Sequence, residues 1–278
     1  MLRHTLFVGL TALVVQLAWL SPLHAAAATA ADSAPETESE AYAGQRLQEM
    51  ASWLAGLEEY AVTMRAGYDV LQDSGQMIEF AELRKISLKR PDKARIEQQA
   101  SDGVRDLLVF DGNDITILDA SSNVFAQAPA PGANLDDAIH YLLDSLGLRL
   151  PLAPMLMTSF PETLRQHVVE VDLVEATDLL GPTTDHIAAR TQEVDFQIWV
   201  TQGDEPWPLR IVINYRLLPG SPQFWANLSE WSRSPAFNSQ TFLFEQPAGA
   251  TRIPFAAQFL TGPAAEDAGA ASSQGDKP

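Results

Sequence analysis

The chain has 278 residues, 46% of them hydrophobic, a formal net charge of -18 and no cysteine. That charge repels phosphate backbones and anionic membrane surfaces, which sets nucleic acid aside as a partner. The missing cysteines exclude disulfides, thiol catalysis, thiolate metal sites and an acylated amino-terminal cysteine.

Arg3 precedes an uncharged apolar run from Leu6 to Leu20, and Ala25, Ala26 and Ala27 follow, which is the three-part plan of a cleavable export signal over residues 1–27. The run is shorter than the roughly 20 residues a spanning helix needs, so export with cleavage into a periplasm is expected. Residues 28–40 and 261–278 are rich in alanine, serine and acidic side chains without periodicity and read as a disordered linker and tail. One domain is expected over residues 41–260.

Within it, Leu47, Met50, Ala51, Leu54 and Leu57 recur at helical spacing from Tyr42 onward, with Gly56 as a terminator. The period then changes to two. Tyr60, Val62, Met64, Ala66, Tyr68 and Val70 share one parity of a long half-buried strand, and Asp73-Ser74-Gly75 supplies a turn. The next strand carries Ile78, Phe80, Ile86 and Leu88 on its apolar parity, followed by Arg90, while Lys85, Ser87 and Lys89 face solvent. A guanidinium on an apolar face needs acceptors or water. The alternative is that Arg90 pairs with Glu82 or another acidic group at a sheet rim and orders the following turn; Glu82 and Arg84 share that parity, so a bulge would reset the faces.

Turns at Pro91-Asp92, Asp102-Gly103, Asp111-Gly112-Asn113 and Ser121-Ser122-Asn123 divide a meander of short strands. A helix over Asn134–Gly147 follows, with Leu135, Ala138, Ile139, Leu142, Leu143 and Leu146 as its stripe, Asn134 as N-cap, Asp136 and Asp137 in the first turn and Gly147 as C-cap. Pro151, Pro154 and Pro161 bracket Met155-Leu156-Met157 in a loop that needs cover. Alternation returns at Val169, Val171 and Leu173, then at Val194 to Val200 and Leu209 to Leu217, and Gln223–Trp231 and Thr241–Phe244 close the series. The sum is a mainly β fold with α: a single unclosed antiparallel β-barrel of ten or eleven strands, covered by an N-terminal helix and a mid-chain helix.

The run Ile86-Ser87-Leu88-Lys89-Arg90-Pro91, then Asp111-Gly112 with Ile117-Leu118-Asp119, and the ending Thr241-Phe242-Leu243-Phe244-Glu245-Gln246-Pro247-Ala248-Gly249-Ala250 resemble the periplasmic lipoprotein carrier LolA. The chain is also similar to a family of predicted periplasmic proteins of unknown function with this fold, the nearer relative. The resemblance implies an unclosed barrel with a helical lid over an apolar cavity, shared with LolB, the sensor RseB and mycobacterial glycolipid carriers, and it implies that Arg90 points inward and hydrogen-bonds the lid. Residues Phe224–Phe237 look like an added hairpin or insertion beside that pattern.

Three dispersed histidines, His140, His167 and His186, show no metal-ligand spacing. His140 with Asp144 stands at i, i+4 without a nucleophile motif, so neither metal, cofactor nor enzymatic chemistry is expected. Met155 and Met157 suit either adaptable lid surface or plain core, and Trp199 falls on a polar parity. The expected function is binding of an apolar ligand, a lipid or lipoprotein acyl chain, by a monomer, through Arg90, Ile78, Phe80, Leu88, Leu135, Ile139, Leu142, Leu143, Met155 and Met157. The alternative is an RseB-like sensing or interaction module with an envelope protein as partner and no lipid transfer.

Overall fold

The computed structural model describes residues 37–255 apart from 133, 147–149 and 151. The expected signal, most of the linker, the tail, the Gly147 cap and Pro151 lie outside the described residues.

Helix α1 (Glu38–Gly56) starts at a capping box in which the Thr37 hydroxyl accepts from the Glu40 amide and the Glu40 carboxylate accepts from the Thr37 amide. Six hairpin-connected strands follow: β1 (Glu59–Leu71), β2 (Met77–Lys89), β3 (Lys93–Ala100), β4 (Arg105–Phe110), β5 (Asp114–Asp119) and β6 (Val124–Pro129). Helix α2 (Leu135–His140) continues as a π-helical turn (Tyr141–Ser145), then come a 3-10 turn (Ala153–Leu156) and α3 (Phe160–His167). Strands β7 (Glu170–Thr177), β8 (Thr184–Arg190), β9 (Val194–Thr201), β10 (Pro208–Tyr215), β11 (Gln223–Ser232) and β12 (Thr251–Arg252) complete the chain.

All twelve strands join one sheet in the order β12-β6-β5-β4-β3-β2-β1-β11-β10-β9-β8-β7, which leaves β12 and β7 as edges, so the sheet is not closed. The pairings along the meanders are antiparallel, and β12 alone among the described pairings lies parallel to its neighbour, β6. The expectation of an open, mainly antiparallel sheet with an amino-terminal and a mid-chain helix is met, and three elements differ in detail. Thr241–Phe244 is a turn segment, not a strand: the Asn238 side chain and the Thr241 hydroxyl bond the local backbone, and Phe242 packs edge-on against Phe237. Residues Phe224–Phe237 are no added hairpin, because β11 is a single strand between β10 and β1. Helix α3 was not anticipated: it starts at the end of the proline-bracketed segment, which itself holds only a short 3-10 turn, and Pro161 falls in its first turn, where proline is tolerated.

The residues fall into two compact units, one comprising residues up to Leu54, Arg65–Ala81 and Pro161–Leu228, the other Ala55–Met64, Glu82–Phe160 and residues from Ser229 onward. In the first, α1 buries Ala43, Leu47, Met50 and Leu54, and Val171 lies 3.7 Å from where a side chain on Gly44 would begin. Arg46 lies within this buried stripe, and its charge is met by Asp185 of β8, 3.1 Å away and 1% exposed. Asp185 also accepts from the Tyr42 hydroxyl at 3.0 Å and the Gln202 amide at 2.6 Å, while Arg46 reaches the Thr201 carbonyl at 2.8 Å. A buried charge is tolerable with such partners and costly without them. On the other parity of this unit, the Trp225 ring covers Gly67 and donates to Glu79 at 2.9 Å, and His186 stacks on Trp199 with centroids 3.9 Å apart.

The second unit is built from strand register. Leu88, Ala94, Phe110, Ile115 and Ala128 are successive partners across β2 to β6, and Ile86, Ile96, Leu108, Ile117 and Ala126 form the adjoining row. Alternation puts both rows on one face. Ala126, Ala128 and Phe255 form a buried cluster on it, against which Ile117, Tyr141 of the π-helical turn and Leu146 just after that turn pack, so that face carries the mid-chain helix.

Candidate functional site

Register along β2 is unbroken from Glu82 to Lys89, so no bulge resets its faces. Leu88 is fully buried, Lys85 and Lys89 are exposed, and Arg90 follows half-buried in the turn. Its guanidinium donates through Nε to the Leu57 carbonyl at 3.0 Å and through Nη1 to the Leu156 carbonyl at 2.9 Å. Both acceptors are main-chain oxygens, one just beyond α1 and one in the 3-10 turn. Arg90 thus ties β1 and the 3-10 turn to the end of β2, and the rim pairing with Glu82 is replaced by a different one: Glu82 pairs with Arg84 at 2.9 Å.

Other groups converge there. The Arg90 amide donates to the Glu58 carbonyl at 2.7 Å, and the Pro91 carbonyl accepts from the amide of Leu135, the first residue of α2, at 2.7 Å. Asn134 caps α2 as expected, its side chain accepting from the Asp137 amide at 2.8 Å. Asp136 does more than face the helix dipole. Its carboxylate accepts from the Thr158 amide and hydroxyl, both at 2.8 Å, and from the Ser159 amide at 3.0 Å, and so holds the segment after the 3-10 turn. Burial alone would raise its pKa, but those hydrogen bonds outweigh it and leave the carboxyl below its ordinary range. Burial pulls the Arg90 pKa down, while Tyr60 and Asp136 act upward on it; the buried Tyr60 hydroxyl, 3.5 Å from the Met155 carbonyl, is pushed up chiefly by burial.

Beneath these bonds the cap is apolar. Leu135, Ile139 and Leu142 are 2–3% exposed, and Met155, Leu156 and Met157 are 5–8% exposed. Leu143 is only half-buried, because the π-helical turn inserts extra backbone per turn and slides the three-and-four stripe off its face. Ile78 and Phe80 are corrected more strongly: they are 37% and 40% exposed, at the β1–β2 hairpin, where Phe80 stacks on Tyr68 with centroids 6.1 Å apart. Parity says which way a strand residue points, not whether anything covers it. Of the expected site residues, Arg90, Leu88, Leu135, Ile139, Leu142, Met155 and Met157 are interior or half-buried in the second unit; Leu143 is partly turned out, and Ile78 and Phe80 lie in the first unit.

Asp136 as a clasp was missed from sequence, since its partners lie 22 and 23 positions along the chain. Also missed was a polar row. One rung beyond the two apolar rows, Arg84, Gln98, Asp106 and Asp119 are successive register partners. His140 and Asp144 stand 3.9 Å apart and exposed, a solvated helix pair. Among the described residues, no group of acidic and histidine side chains is placed to hold a metal ion.

Known structures with a similar course include LprF from Mycobacterium bovis, 11% identical over 76% of this chain and 99% of that chain, with a TM-score of 0.45. MucB is 14% identical over 77% of this chain and 66% of its own, with a TM-score of 0.41. A LolA superfamily protein from Nitrosomonas europaea is 11% identical over 73% of this chain and 97% of its own, with a TM-score of 0.33. Likenesses this distant decide nothing about ligand or partner. No curated protein matches the chain. One family model, described as "Predicted periplasmic protein (DUF2092)", matches residues 43–256, most of the chain, and the protein accordingly belongs to this family of periplasmic proteins.

Proposed function

We propose that the protein binds an acyl chain of a lipid or lipoprotein in the periplasm, between the apolar rows of β2 to β6 and the cap formed by α2, the π-helical turn and the 3-10 turn. The observation that carries this reading is the way the cap is fastened. Its inward side is apolar, while its polar attachments cluster at Arg90, Pro91 and Asp136 and bind main-chain groups or hydroxyls. Opening such a cap exchanges these hydrogen bonds with water, and the face it exposes gains roughly 0.8 kcal/mol per methylene buried by a chain. Arg90, released from Leu156, is then a donor for a ligand carbonyl or carboxylate.

Native mass spectrometry of protein purified from its own periplasm tests this directly. A co-purifying lipid mass, lost on delipidation and regained with palmitate, is expected; a ligand-free mass together with no uptake of palmitate overturns the reading. A second reading, an envelope sensing or interaction module, draws on the exposed Leu71, Ile78 and Phe80 in the first unit. It would be preferred if palmitate is refused while replacing Ile78 and Phe80 by serine abolishes the protein's activity in the cell envelope.

A further inference from the structure

The polar row on the inward face of β2 to β5 is at odds with its surroundings. Arg84 is 7% exposed and Glu82 6%, yet they share parity with Ile86 and Leu88. One Arg84 nitrogen, Nη2, meets Glu82 at 2.9 Å, while its Nε is buried without a hydrogen-bond partner. A buried donor left unmade costs free energy that a plain aliphatic residue would avoid. Beside it, Asp106 of β4 stands opposite Asp119 of β5, and like charges directly opposite on one sheet face are unfavourable. Asp119 is held as the anion: burial acts upward on it, but hydrogen bonds from Ser122 and Ser121 bring its pKa below the ordinary range. Asp106 is raised, first by burial and then by Asp119, although Arg84 acts in the other direction. The cluster therefore holds one guanidinium with an unused N–H and more carboxylate than it neutralises.

Position gives this cluster its meaning. Arg84 lies six residues before Arg90, about 20 Å along a strand at roughly 3.3 Å per residue. The two apolar rows lie between them. A phospholipid laid along that face would have its tails on the rows and its head group at Arg84, at the opposite end from Arg90, the donor for a fatty-acid carboxylate. We propose that Arg84, Asp106 and Asp119 form a head-group site for a zwitterionic phospholipid, the phosphate taking the free edge of the Arg84 guanidinium and the ammonium lying against the Asp106–Asp119 pair. A guanidinium presents a planar fork matched to phosphate, and an ammonium supplies the donors and positive charge that two adjacent carboxylates lack. This inference rests on the acyl-chain reading above and gives it a ligand class.

The test uses the full mature chain with dansyl-undecanoate as a fatty-acid probe, displaced by dipalmitoyl phosphatidylethanolamine, dipalmitoyl phosphatidylglycerol or water-soluble phosphoethanolamine. Phosphatidylethanolamine is expected to displace at about tenfold lower concentration than phosphatidylglycerol, and phosphoethanolamine not at all. Arg84→Lys and Asp106→Asn, each shown to be folded by circular dichroism, should remove most of that preference while leaving probe binding unchanged. Failure of every protein to bind the probe overturns the acyl-chain reading and this inference with it. Probe binding with equal displacement by the two phospholipids, a preference that survives both variants, or equal binding of phosphoethanolamine overturns the head-group site alone.

Discussion

Replacing Arg90 by leucine removes the charge-assisted bonds to Leu57 at 3.0 Å and to Leu156 at 2.9 Å, and the second of these fastens the cap. A hydrogen bond to a charged group contributes about 1.5–3 kcal/mol, and relaxation with entry of water at the half-buried turn recovers part of it, so a net loss of about 1–2 kcal/mol is expected for closure. With tenfold per 1.4 kcal/mol, the open population rises by about 5-fold to 30-fold. Hydrogen exchange read by mass spectrometry resolves where this occurs. The amides of Leu135, Met155 and Met157, which bond to Pro91, Leu152 and Pro154, should exchange faster by that factor, while those of β3 to β5 hold their protection. Arg90→Lys, which keeps the charge but not the fork, should fall between. Unchanged exchange over 135–160, or an equal rise across β3 to β5, would refute the reasoning, the first by showing the bonds idle and the second by showing a global effect.

Asp136 carries a pH dependence. Its folded pKa lies below the ordinary 3.8, so its contribution is fully present above that value and is lost as pH falls through the lower folded value. Proteolysis within 153–159 should therefore accelerate at acid pH below 3.8 in the wild type, and an Asp136→Asn chain should show fast cleavage already at neutral pH. Gly67→Ala places a Cβ 2.5–2.7 Å from three atoms of the Trp225 ring, so the ring must shift and its bond to Glu79 break; about 1–3 kcal/mol of overpacking is expected, read as a lower Tm with altered tryptophan fluorescence. Arg46 also pairs with the more exposed Glu49 at 2.6 Å, so Asp185→Ala removes the buried one of its two carboxylates and should cost about 3 kcal/mol in denaturant titrations. An unshifted midpoint would mean that Glu49 suffices for Arg46.

Local chemistry made much of this molecule readable in advance. Two-residue alternation placed Tyr60 to Ala66 and Ile86 to Leu88 inward, and the Asn134 side chain announced the start of α2, because side-chain direction and capping depend on only a few neighbouring residues. The same parity made Arg90 an inward-facing cation in need of acceptors. What it donates to was not local: Leu57 and Leu156 lie 33 and 66 positions away, and only the folding of both segments onto the end of β2 provides their carbonyls. Tertiary structure also decided that Ile78 and Phe80 are left uncovered, that β11 joins β10 to β1, and that Arg84, Asp106 and Asp119 share one rung. Alternation along a single strand fixes a face, whereas the neighbours on that face are set by the register between strands, and no single strand contains it.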